Sequence, residues 1–216
     1  MDKNSDLIIN KLIKKLNLNT RLEKKIAILI YRELSKGTPV SLQNISKSTC
    51  TDIVDIQKIV QNWEGVYFDD ENNIIEFWGL TITRDTIHKI LVDDKKLNTW
   101  CFFDALFIPE ILQKPVTIES QCPISDDTIK LEVSSGKIVS TNYPNGLISF
   151  VNADERSIDV ISSFCCYISF FPDEKTFDKW KVNSDKEGII SLKVDEAFKI
   201  GEEFNNAVFG DLISSI

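Results

Sequence analysis

The sequence has one histidine, no C-x-x-C pair and no glycine-rich phosphate loop in its 216 residues. Each absence removes a class of chemistry. Without paired cysteines at that spacing, neither a zinc ribbon nor a thioredoxin-type redox centre is indicated. A Cys–His or Ser–His catalytic pair would have to use His88, which opens the apolar run "HKILVD". There the ordinary reading is a satisfied core side chain. The missing loop removes the usual cradle for nucleotide phosphates. No apolar run approaches the roughly 18 residues of a membrane span. The start "MDKNSDLIINKLIKKLN" is polar and then amphipathic, with no cleavage-site pattern, unlike a signal peptide. A cytoplasmic location is the resulting expectation. Thiols stay reduced there, so the five cysteines read as buried, catalytic or metal-binding rather than as a disulfide framework.

What remains is an ordinary globular composition, 43% hydrophobic and 27% charged, long enough to bury a full core. The net charge of −8 is unevenly spread. Residues 1–40 carry nine Lys/Arg against four Asp/Glu, and the rest carries sixteen against twenty-nine. An acidic body argues against nucleic acid as the main ligand.

Helical periodicity comes first along the chain. "DLIINKLIKKL" sets Leu7, Ile8, Leu12 and Ile13 on one stripe, and "RLEKKIAILIYRELSK" repeats the pattern until Gly37 and Pro39 stop it. "SLQNISKSTCTDIVDIQKIVQNW" predicts a short helix, a turn and a second helix, with N-caps at Ser41 and at Thr51 or Asp52. "VYFDDENNIIEFWG" predicts two short strands around a polar turn. That order is a winged-helix-like module, residues 1–80. Its candidate reading helix carries Asp52 and Asp55 near its start, where phosphate contacts would fall, so packing or docking is favoured over DNA reading.

Residues 81–216 form the second unit. "HKILVD", "VTIESQC", "TIKLEVS", "KIVSTN", "GLISFV" and "CCYISFF" are strand-like, and helices interrupt at "NTWCFFDALFIPEIL", "DEKTFDKWK" and "VDEAFKIGEEFNNAVF". Strands in succession with few helical crossovers predict an α+β domain with a mostly antiparallel sheet and flanking helices.

The chemistry concentrates in "TWCFFDALF". Cys101 and Asp104 are three apart, neighbours on one helical face. A cap at Asn98 or Thr99 would place Cys101 in the first turn, where unpaired N–H groups favour a thiolate. An apolar setting would raise the Asp104 carboxyl toward a proton-carrying role. The plainer reading, a buried cysteine beside a solvated aspartate, is favoured on spacing alone. Cys165 and Cys166 lie in a strand-like run, so their side chains are expected on opposite faces. Cys122 and Cys50 read as structural. A thiol site with an acid and no histidine suits a soft metal, and non-catalytic binding or sensing of mercury or copper is one reading of it.

Together these pieces resemble the organomercurial lyase (alkylmercury lyase) family. The resemblance runs from "YRELSKGTPVS" through "NNIIEFWGLTIT", "NTWCFFDALFIPEIL", "ESQCPIS" and "SFCCYISFF" to "EGIISLKVDEAFKIGEEFN". It implies cleavage of the carbon–mercury bond to hydrocarbon and Hg(II), with Cys101, Cys165 and Asp104 as catalytic and Hg(II)-holding residues. It implies an organomercury substrate and no cofactor, with small thiols or a mercuric reductase accepting the Hg(II). The expected course is attack by Cys101, completion of a bis-thiolate by Cys165 and proton return through Asp104, inside a ring of Trp100, Phe102, Phe103, Phe107 and Phe164. Two departures stand out. The first thirty residues match poorly, suggesting a docking element of this lineage, and Tyr167 stands where the family pattern carries histidine.

Overall fold

The computed structural model describes residues 3–151 and 159–216. Helices α1 (Lys3–Leu16), α2 (Arg21–Leu34), α3 (Leu42–Thr49) and α4 (Ile53–Gln61) open the chain. Local chemistry fixes their ends. Thr20 and Glu23 close a capping box on α2, while the Ser41 and Asp52 side chains cap α3 and α4. The face α1 buries is Ile8, Ile9, Leu12 and Leu16, whereas Leu7 is exposed. The stripe read from sequence is thus rotated by part of a turn. That face lies on the molecule's own helix α8 (Val194–Val208).

The hairpin β1 (Val66–Phe68) and β2 (Ile74–Phe77) follows, and Val40 bridges Ile74 beside it. The sheet does not end there. β3 (Leu80–Thr81) pairs with β2 on one side and with β5 (Lys95–Thr99) on the other. β4 (His88–Val92), β6 (Val116–Gln121), β7 (Thr128–Ser134) and β8 (Lys137–Thr141) complete eight strands in the order β1-β2-β3-β5-β4-β6-β7-β8, every pairing antiparallel. The division placed at residue 80 therefore falls inside β3. A second sheet sets β9 (Leu147–Phe150) between β10 (Phe170–Phe171) and β11 (Ile190–Lys193). The fold is α+β.

Strand alternation sends Ile90 and Val92, Val116 and Ile118, and Ile129, Leu131 and Val133 into the core. They face α5 (Phe102–Leu112), in which every residue but Glu110 is buried. A helix apolar all round belongs in a core interior, and α5 lies between the large sheet and helices α2 and α8. Gly201 of α8 permits that approach, since a Cβ there would lie 3.1 Å from Phe107 Cβ. No helix among the described residues is long and apolar enough to cross a membrane.

One expected strand is absent. Asp159 caps the four-residue helix α6 (Val160–Ser163), and Cys165–Tyr167 form a 3-10 turn; only Phe170–Phe171 of that run pair with β9. Strand preference is realised only where a neighbouring edge is available. β5, by contrast, has little strand signal in sequence, because "KKLNT" buries just Leu97 and Thr99. Helix α7 (Glu174–Val182) lies where expected.

Candidate active site

The site grows from the junction of β5 with α5. Thr99 is committed to β5 opposite Leu80, and the Trp100 N–H donates to the Gly79 carbonyl at 2.9 Å. Cys101 is therefore itself the N-cap of α5, not a first-turn residue behind a cap at Asn98 or Thr99. Three residues on, Asp104 folds back, and the Cys101 N–H donates to Asp104 Oδ2 at 2.8 Å. This is the carboxylate half of a capping box.

Cys165 arrives from the 3-10 turn. The Ile168 carbonyl, at the end of that turn, accepts from the Phe102 N–H at 3.3 Å and ties it to the start of α5. Cys165 Sγ lies 4.0 Å from Asp104 Oδ2. Both sulfurs and a carboxylate oxygen lie within 4.8 Å of one another, and all three residues are at most 5% exposed. Among the described residues this is the one group of His, Cys, Asp and Glu arranged to hold a metal ion.

Burial sets the resting protonation. It pushes the Asp104 carboxyl from its ordinary 3.8 up to about 7, against the opposing hydrogen bonds from Cys101. It also pushes the Cys101 thiol well above its ordinary value, helped by the neighbouring Cys165 and Asp104. At Cys165 the hydrogen bond with Cys101 lowers the value, but burial and the charge of Asp104 outweigh it and the thiol stands at about 11. The thiolate expected at the helix start is thus a thiol, because desolvation exceeds what the helix terminus returns. An arriving soft metal changes that balance, since a coordinating thiol is deprotonated outright.

The walls are apolar. Leu12, Trp78, Gly79, Trp100, Phe103, Phe107, Val160, Phe164 and Phe204 surround Asp104 and Cys165. The space left measures about 10 Å³, room for about one water. Phe102, expected in this ring, points elsewhere and packs against His88 and Phe170. In an N-capped helix the residue after the cap cannot share the side of the cap and the third residue. Trp100 is pinned by its indole N–H, which donates to the buried Glu76 at 2.7 Å; Arg84 pairs with the same carboxylate. Gly79 has φ +95, and a Cβ there would fall 2.5 Å from Asp104 Cγ. Glycine is required for the backbone to lie on the carboxyl. Leu12, Trp78, Gly79 and Phe204 come from distant segments, and no local pattern in the sequence brings them to this site.

The remaining thiols stay apart. Cys166 is exposed, with Ser162 O accepting from its thiol, so adjacent cysteines do meet opposite surroundings, though by a 3-10 turn and not by strand alternation. Cys122 is buried and Cys50 is the exposed, left-handed C-cap of α3. His88 is buried against Ser120 Oγ at 2.8 Å, and burial lowers it to about 3, so it is a neutral core residue. Tyr167 lies outward, its hydroxyl donating to Asp185 and its ring beneath Lys186.

Residues 82–206 match the family model described as MerB: Alkylmercury lyase. An alkylmercury lyase of Staphylococcus epidermidis is 28% identical over 172 residues, spanning 80% of this chain and 77% of its own. One of Pseudomonas putida is 29% identical over 174 residues, with 81% and 80% coverage. A crystal structure of the mercury-bound form of MerB2 superposes with a TM-score of 0.77 at 19% identity, covering 99% of this chain and 100% of that one. At that identity the likeness concerns the fold.

Proposed function

Because the chain belongs to the alkylmercury lyase family, we propose that it cleaves the carbon–mercury bond of organomercury compounds, with Cys101, Cys165 and Asp104 as the reacting groups. The observation that carries this is the buried triad, two sulfurs and a carboxylate within 4.8 Å of one another, beside an apolar cavity that Asp104 and Cys165 line.

The chemistry follows from the softness of the metal. An organomercury thiolate exchanges its thiol for Cys101, releasing that thiol with the Cys101 proton. Cys165 then joins the mercury and passes its proton to Asp104, which burial has made a willing acceptor near neutral pH. Two sulfur donors push electron density onto the metal and make the attached carbon more basic. Asp104 protonates that carbon, the carbon–mercury bond breaks to hydrocarbon, and Hg(II) stays on Cys101 and Cys165. Asp104 ends as a carboxylate beside it, an oxygen donor to the product. Two incoming thiolates, from small thiols or a mercuric reductase, then exchange the Hg(II) out. No cofactor enters the cycle. The apolar walls suit an alkyl or aryl group, and the surrounding side chains move apart to admit one.

Headspace detection of benzene from phenylmercury in excess thiol tests the proposal. The native protein is expected to release benzene, and Cys101→Ala or Cys165→Ala to release none. Tight uptake of mercury without hydrocarbon from any organomercurial would instead mark a soft-metal binding protein.

A further inference from the structure

We propose that Tyr31 is a positioning residue for the protonation step: its hydroxyl clamps the Trp78–Gly79 turn against the Asp104 carboxyl, keeping that carboxyl turned toward the two sulfurs. The inference rests on the lyase reading above.

The turn is held in a conformation it would not choose. Trp78 has φ +32, rare for a side-chain-bearing residue, and Gly79 has φ +95. Such backbone persists only where its surroundings over-determine it. Here the Trp78 N–H donates to Gly65 O and its indole N–H to Glu64 O, both at 3.0 Å. These bonds tie the turn to the preceding loop. The Tyr31 hydroxyl donates to the Trp78 carbonyl at 2.7 Å from within the core. Its ring is fully buried, wedged 4.9 Å from Phe77 and 6.5 Å from Phe107, so the hydroxyl has little freedom. Burial and the nearby Asp104 both keep the phenol protonated, hence a donor.

The consequence falls on Asp104 because nothing separates it from the turn. A Cβ on Gly79 would overlap the Asp104 carboxyl carbon, so any shift of the turn changes the space in which the carboxyl rotates. The Cys101 N–H fixes one carboxyl oxygen, and the turn bounds the rest of the group. The turn itself supplies none of the three groups that gather around a metal. Loss of the clamp should therefore separate the two halves of the reaction.

The test is a single-turnover comparison with phenylmercury acetate and no added thiol, following loss of protein thiol and release of benzene separately. Tyr31→Phe is expected to keep the uptake rate within about twofold and to slow benzene release about tenfold, as befits one lost hydrogen bond. Gly79→Ala, which crowds the same carboxyl directly, is expected to show the same split more strongly. Benzene release unchanged in Tyr31→Phe overturns the role. So does an equal fall in uptake and release, which is the mark of general loosening. A native protein that takes up phenylmercury and releases no benzene defeats the lyase reading and this role with it. Native turnover beside an unaffected Tyr31→Phe defeats the role alone.

Discussion

Cys101 sits where a sheet strand runs directly into the buried helix α5, whereas Cys165 sits in a three-residue turn between a four-residue helix and a two-residue strand. Around Cys101 the backbone is tied at each step, by Trp100 to Gly79, by Cys101 to Asp104 and by Phe102 to Ile168. Around Cys165 the chain closes on itself, Tyr167 N–H to Phe164 O and Ile168 N–H to Cys165 O, with Ser149 Oγ donating to the Tyr167 carbonyl from β9. The difference matches what each side is asked to do. Proton delivery is sensitive to a fraction of an ångström, so the acid belongs on the rigid side. A second thiol joining a soft metal is drawn in by the bond it forms.

The strongest way to break this comparison is to remove the acid and leave both sulfurs. Asp104→Asn is expected to slow hydrocarbon release about 100- to 10,000-fold, the usual range for a general acid, while phenylmercury uptake persists. The same variant reads out the burial of the carboxyl. Its value of about 7 lies above the ordinary 3.8, so folding takes up a proton between them. Stability from this group is intact below about 3.8 and declines as pH rises through about 7. Asp104→Asn should therefore be more stable than the native protein at pH 8, by up to about a few kcal/mol, with the gain shrinking as pH falls from about 7 toward 3.8. The Tyr31→Phe and Gly79→Ala splits come next, since they disturb the rigid side without removing a reacting group. On the other side, Cys166→Ser is expected to change benzene release less than about twofold, because a serine hydroxyl keeps the bond to Ser162 O and the thiol faces away from the triad. A large loss there would mean that the Cys165 side carries more of the chemistry than its adjacency suggests.

How much of this was legible beforehand depends on the range of each interaction. Caps at Ser41 and Asp52, the hairpin, and the buried faces of β6 and β7 all follow from local pattern. The Cys101–Asp104 spacing was legible too, but not its capping role, because Thr99 was needed for a strand whose partner lies near residue 80. The apolar run at Cys165 has strand character but folds as a turn, since such a run does not say whether an edge awaits it. Tyr31, Glu76, Trp78 and Gly79 lie in segments that carry the family resemblance, and Leu12 in a helical stripe, but nothing local says that they converge on the site. They reach the site only because β3 joins the first module's hairpin to the main sheet. The amphipathic first helix, read as a docking element, spends its apolar face inside the molecule and puts Leu12 at the cavity.

The central claim is that one mercury atom comes to rest on Cys101 and Cys165 after Asp104 has protonated its carbon. X-ray absorption at the mercury edge, on the native protein after one equivalent of phenylmercury, addresses it directly. Two sulfur neighbours and no carbon neighbour are expected, with Cys165→Ser retaining one sulfur and one carbon. A carbon neighbour that persists in the native protein would contradict the account.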